Sequence, residues 1–197
     1  MNEDIVAVEL TGDEPVAWLR ESLEQGAAIS QHVLPLVESK HGHFSVLVPR
    51  NVKHEALSNL REGGVASTKL VDIALGAQLE KFCNAGTNFL YVEDDMRRVG
   101  DPYLDERTSN FLIFDTRVVH WADLSMMNGL QAVSFIQKAS HGYPLNAFVA
   151  SVRADTPDAQ RHATAGTLAV EIAAATRVVI VSAFDGETFL LWDMGFE

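Results

Sequence analysis

Two hydrophobic rhythms alternate along this chain, one of period two and one near 3.6, and their order predicts its elements. IVAVEL, inside residues 4–11, reads as a short strand closed by a turn at Gly12. Asp13 then stands where a helix cap belongs, with Pro15 in the first turn, where its missing N–H removes no intrahelical bond. This helix is expected to pass through Trp18 and Leu23 and to end near Ser30. QHVLPLVESK continues it as a second piece, interrupted at Pro35 because an interior proline loses a hydrogen bond and crowds the preceding turn. HFSVLVP, residues 43–49, is the short apolar run of a buried strand.

Val52, Leu57 and Leu60 fall at amphipathic helical spacing over residues 52–61, and Gly63-Gly64 ends that helix. Over residues 69–84 the positions Leu70, Ile73, Ala74, Ala77 and Phe82 repeat the helical pattern. Asn84-Ala85-Gly86 then supplies a stop before the strand TNFLYVE, residues 87–93. DDMRRVGDPYLDERTS, residues 94–109, has no apolar periodicity and reads as the longest loop of the chain. In GLQAVSFIQKA, residues 129–139, the alternation of Val133 and Phe135 favours a strand over a helix.

Thr156-Pro157-Asp158 puts a hydroxyl, a proline and an acid in the order that a helix start requires, and the helix is expected to reach about Thr176. Its Ala163, Ala165, Gly166, Ala169 and Ala173 form a small-residue surface. RVVIVSAFDGETFLLWDM then places Asp185-Gly186 between two apolar runs, a strong hairpin signal. Together these elements predict an α/β or α+β fold: a mixed β-sheet flanked by helices, with a C-terminal helix followed by a β-hairpin. A single globular domain, residues 1–197, is expected, long enough to bury roughly 70% of the surface that its unfolded chain exposes.

Composition narrows the function classes. Hydrophobic residues are 47% and charged residues 21%, values of a folded chain and not of a disordered one. The net charge of −12, from 27 acidic and 15 basic residues, disfavours direct nucleic-acid binding, which draws its affinity from clustered Lys and Arg. The one cysteine, Cys83, follows Phe82 on a helix, where a small buried apolar residue is the usual occupant. MNEDIVAVELTGDE is acidic where a secretory or mitochondrial leader is basic, and no apolar run reaches the roughly 18 residues of a bilayer span. A cytoplasmic protein without a membrane attachment is expected.

NFLIFDTRVVHWAD, residues 110–123, is the densest run of chemistry-capable residues. As one straight strand it would place Asp115 and His120 on opposite faces. Fourteen residues are long for a strand, and Asp-Thr-Arg between FLIF and VVHW favours a turn joining two strands. His120 then lies well inside the second strand, packed beside Trp121. FLIFDTRVV is similar to a strand, turn and strand of phospholipase D-like domains, whose active members carry a His-x-Lys pair and a later Asp. The corresponding region here holds Asn110 and Leu112, so that resemblance implies a catalytically empty relative.

His41 and His43, two apart on a strand, project to the same side and are candidate ligands of one metal ion. A third ligand would have to come from His54, His120, His141 or a carboxylate, and neither H-E-x-x-H nor C-x-x-C fixes it. Glu93, Asp94 and Asp95, next to Arg97 and Arg98, read as a solvated, self-neutralising loop. There is no phosphate loop at Gly63-Gly64 and no nucleophile elbow at Ser182.

The reading preferred from sequence is a non-enzymatic accessory or regulatory protein that needs no cofactor and whose acidic surface docks a basic protein partner. Arg97, Arg98, Tyr103 and Arg107 in the charged loop are its candidate anchors. The alternative is a small hydrolase, such as a phosphodiesterase, with His41 and His43 holding a divalent metal, or His120 acting as acid or base with Asp115 orienting it. A small-ligand sensor lined by Trp18, Trp121 and Trp192 is a third reading.

Overall fold

The computed structural model describes residues 5–26, 28–40, 42–49, 68–98, 110–114, 117–140, 145–154, 165–183 and 188–194. Their elements run β1 (Ile5–Leu10), α1 (Glu14–Gln25), α2 (Ile29–Ser39), β2 (His43–Pro49), α3 (Thr68–Cys83), β3 (Phe89–Arg98), β4 (Asn110–Phe114) and β5 (Arg117–Asp123). A 3-10 turn (Leu124–Met126) leads into α4 (Gly129–Ala139), followed by β6 (Asn146–Ala150), α5 (Ala165–Ala174), β7 (Thr176–Ala183) and β8 (Thr188–Asp193). The eight strands form one sheet in the order β1-β2-β8-β7-β6-β3-β5-β4, antiparallel at each described pairing. It is flanked by helices, and α5 leads into the β7–β8 hairpin, as the sequence pattern predicts.

Period-two patterning distributes the strand side chains between two apolar layers. Val46, Phe89, Tyr91, Trp121, Phe148, Val179 and Trp192 pack under α1, α2 and α5. Leu47, Leu90, Val92, Ala147, Val149, Ile180 and Leu191 pack under α3 and α4. The central strands β6 and β7 are buried nearly throughout, which is why they read as unbroken apolar runs. Gly42 admits no side chain, because a Cβ there would lie 2.7 Å from Cε2 of the fully buried Trp192 ring.

Three sequence expectations need correction. Residues 129–139 form a helix, α4: Asn128 and Gln131 make a reciprocal capping box that supplies the first turn with partners. Val133 and Ile136 there face the core one helical turn apart, so the apparent alternation with Phe135 was incidental. Residues 94–98 belong to β3, whose pairing with β5 continues through an irregularity to Arg98, so the charged segment does not begin as a loop at Asp94. Finally, α1 ends at Gln25, and α2 contains Pro35 without interruption. Pro35 is exposed, which lets water satisfy the carbonyl that its ring leaves without an N–H donor. The expected helix over 52–61, the start at Thr156-Pro157-Asp158 and the Asp185-Gly186 turn lie outside the described residues.

Tyr91 ties the sheet to the segment after β6. Its hydroxyl donates to the Val152 carbonyl at 2.7 Å and accepts from the Ala154 amide at 3.0 Å. Tyr91→Phe removes both bonds from a fully buried site, so unfolding free energy is expected to fall by about 1–3 kcal/mol. A urea midpoint unchanged from wild type would show that these bonds contribute nothing.

Candidate functional site

The bend within residues 110–123 is present: β4 and β5 pair as antiparallel strands, with Phe114 opposite Arg117. Asp115 lies outside the described residues, whereas His120 is 1% exposed in β5, opposite Val92 of β3 and Phe111 of β4. Directly paired residues share a face of a sheet, so His120 sits on the α3–α4 side. His43 is exposed at the start of β2, with Nδ1 3.1 Å from Glu9 Oε1 on the edge strand β1 and with Asp193 opposite it in β8. His41, His54 and His141 lie outside the described residues, and these hold no group of three or more His, Cys, Asp or Glu that could grip an ion. Arg97 and Arg98 end β3, while Tyr103 and Arg107 lie outside the described residues. Burial first, and then the Glu80 carboxylate, push the Cys83 thiol up, which disfavours the reactive thiolate.

The structure singles out Glu93, which is a buried carboxylate in the middle of the sheet and not part of a solvated loop. It faces the start of α2, where Oε1 accepts from the amides of Ala28 at 3.2 Å and Ser30 at 3.0 Å, and Oε2 accepts from the Ser30 hydroxyl. These are the unpaired donors of a helix N-terminus, so an acid from β3 does the work of a local cap. Asn146, the cross-strand neighbour of Glu93 in β6, donates to Ser30 Oγ at 3.1 Å and to the Ser22 carbonyl at 3.0 Å. The Ser22 hydroxyl donates back to Asn146 Oδ1 at 2.7 Å. Donors run from Ser22 and Asn146 through Ser30 and terminate on Glu93.

Desolvation raises the Glu93 pKa, while the Ser30 hydroxyl and the backbone amides of Ser30, Ile29 and Ala28 oppose the rise. The group is enclosed, and among the described residues its carboxylate bonds go to Ala28 and Ser30 at the start of α2, so its chemistry is cohesive: it fixes that corner to the sheet. Gly26 permits the approach, since a Cβ there would collide with Ser30 Oγ and Glu93 Oε2. Neither feature has a local signal in the sequence beyond an acid closing an apolar strand.

No known family, characterised protein or solved structure matches this chain. What distinguishes its surface is an unequal division of charge between the two helical layers. Among the described residues, α1, α2 and α5 carry Glu14, Glu21, Glu24, Glu38 and Glu171 against Arg20 alone, a formal −4 from five acids and one base. Arg20 is itself paired with Glu38, Nε to Oε1 at 2.8 Å. Helices α3 and α4 carry Lys69, Lys81 and Lys138 against Asp72 and Glu80, a formal +1 from three bases and two acids. No described helix is long and apolar enough to cross a membrane.

On α1 the exposed positions Glu14, Ala17, Glu21 and Glu24 follow one another at intervals of three and four, so three carboxylates lie along one stripe. Among the described residues the opposite layer exposes more large apolar side chains, three against Val170 alone on α5. Ile73 of α3 is 49% exposed, Leu130 of α4 58% and Met126 in the preceding turn 80%. The two layers therefore offer different chemistry to a partner.

Proposed function

We propose that this protein is a non-enzymatic accessory or regulatory protein that docks a basic protein partner through the outer side of α1, α2 and α5. The observation that supports this reading is the acidic stripe Glu14, Glu21 and Glu24, extended by Glu38 and Glu171 on the neighbouring helices. Exposed carboxylates of one sign raise the encounter rate of a cationic partner, repel acidic ones, and lose that advantage as salt screens them beyond roughly 8–10 Å. Helices α1 and α2 are anchored from beneath by Glu93 and Asn146, so the charged stripe is carried on a fixed platform. Arg97 and Arg98, at the end of β3, remain proposed anchors.

An oligolysine peptide serves as the probe, with its affinity followed by fluorescence anisotropy over a series of salt concentrations. Wild type is expected to bind with an affinity that falls as salt rises, and Glu14→Lys/Glu21→Lys/Glu24→Lys to weaken binding by tenfold or more. The three positions are exposed, so circular dichroism should be unchanged. Equal binding by the triple variant would remove the acidic stripe from consideration.

A further inference from the structure

We infer that the α3–α4 face is a self-association surface, which brings two copies of this chain together as a dimer. The face joins two things that the rest of the described helical surface keeps apart. It exposes Ile73, Met126 and Leu130, three large apolar side chains whose shielding from water is favourable. It also carries nearly balanced charge, Lys69, Lys81 and Lys138 against Asp72 and Glu80.

The charge balance identifies the occupant. A chain of net charge −12 repels its own copies, and contact through the α1, α2 and α5 layer would bring five glutamates against five more. Through α3 and α4 that repulsion is absent, and lysines of one copy can meet carboxylates of the other. A basic partner gains nothing on this face, where the excess is itself positive. A second copy gains the burial of six apolar side chains, three from each chain.

The face is also rigid enough to serve. Gly129 at the start of α4 lies directly on the backbone of Gly76 in α3, the Gly129 amide donates to Glu80 Oε2, and Gln137 Nε2 donates to Asp72 Oδ2 at 2.8 Å. Leu130 lies over Gly76, where a Cβ would be 3.1 Å from its Cδ2. Ile73 and Leu130 therefore stand on a locked helix pair, and association costs side-chain freedom but little backbone freedom.

The area sets the strength. Sixteen residues of α3 and eleven of α4 give helices about 24 and 16 Å long, and two helices side by side are about 20 Å wide. The footprint is about 400 Å² per copy and about 800 Å² in total, below the roughly 1,200 Å² of a stable specific interface, so the association is weak and transient. A dimer that forms only towards high micromolar concentration is expected.

Sedimentation equilibrium of the full chain across low to high micromolar concentration tests this. Wild type is expected to move from monomer towards dimer mass, and Leu130→Glu, or separately Met126→Glu, to stay monomeric with an unchanged thermal melt. Val170→Glu, at an exposed apolar position on the other layer, should dimerise as wild type does. A wild type that stays monomeric throughout overturns the inference. So does a dimer that survives both substitutions and tightens steeply with salt, since that behaviour belongs to contact between acidic faces.

Discussion

Glu93→Ala is expected to lower the unfolding free energy by about 4 kcal/mol, because it leaves the amides of Ala28 and Ser30 and the Ser30 hydroxyl buried without their acceptor. Glu93→Gln should cost less, about 1–3 kcal/mol, since one end of the amide still accepts while the other turns a donor towards Ser30 Oγ. That oxygen already receives Asn146 Nδ2, so its own proton loses its acceptor. Guanidinium unfolding of the three proteins checks the order. Losses of under about 1 kcal/mol for both variants would mean that the network contributes little.

The same residue gives stability a definite pH dependence. Burial places the native pKa above the unfolded one, so the native state binds this proton more tightly. The proton-linked part of the Glu93 contribution is then fully present below the unfolded pKa and is lost as pH rises through the raised native value, while the acceptor bonds to α2 remain. The difference in unfolding free energy between wild type and Glu93→Gln should decline across that window and level off above it. A difference that grows with pH would show that the donors of α2 outweigh desolvation and hold the native pKa down.

The second large effect is expected at Gly129. An added Cβ would collide with the carbonyl oxygen of Gly76, lie 2.7 Å from its carbon and 3.0 Å from Glu80 Oε2, so Gly129→Ala must push α3 and α4 apart. Backbone cannot rotate away as a side chain can, and about 3 kcal/mol of destabilisation follows. Gly76→Ala is the contrast. Its Cβ meets the Leu130 side chain at 3.1 Å, which can yield, and the Gly129 backbone at 3.3 Å, which needs a shift of only a few tenths of an ångström; alanine adds up to about 1 kcal/mol of helix propensity, so the net loss should be far smaller than for Gly129→Ala. Denaturant midpoints of the two variants decide the matter. Equal losses would place the constraint in the helices' shape and not in this crossing.

The fold was largely legible because its elements follow their local patterns. HFSVLVP, NFLIF, RVVHWAD and the two runs around Asp185-Gly186 all became strands, and the helical spacing of Leu70, Ile73 and Ala74 became α3. The reading failed at α4, where Val133 and Phe135 imitate a period of two over a short apolar run. Asn128 and Gln131 held the missing signal, a capping box with asparagine in the place where serine or threonine is usually sought. Pro35 misled for a related reason: its cost depends on whether the freed carbonyl reaches water, which the sequence does not state.

The candidate site was much less legible. Glu93 stands beside Asp94, Asp95 and two arginines, and its neighbours in sequence suggest solvent. Its partners are 63–65 residues earlier, at Ala28 and Ser30, and the link exists only once β3 lies beneath α2. The charge division between layers is equally nonlocal, since net charge is a property of the whole chain whereas docking depends on which helices share a side.

The position of β8 has a consequence for synthesis. This strand enters between β2 and β7, so the antiparallel pair β1–β2 has no strand partner in the rest of the sheet until residues 188–193 have left the ribosome. A nascent chain halted before that point would present two bare ribbon borders, β2 and β7, each able to recruit a stray strand. Ribosome-bound intermediates should therefore be shielded by chaperones until β8 has emerged, and the step that inserts it should be slow because it joins segments from distant parts of the chain.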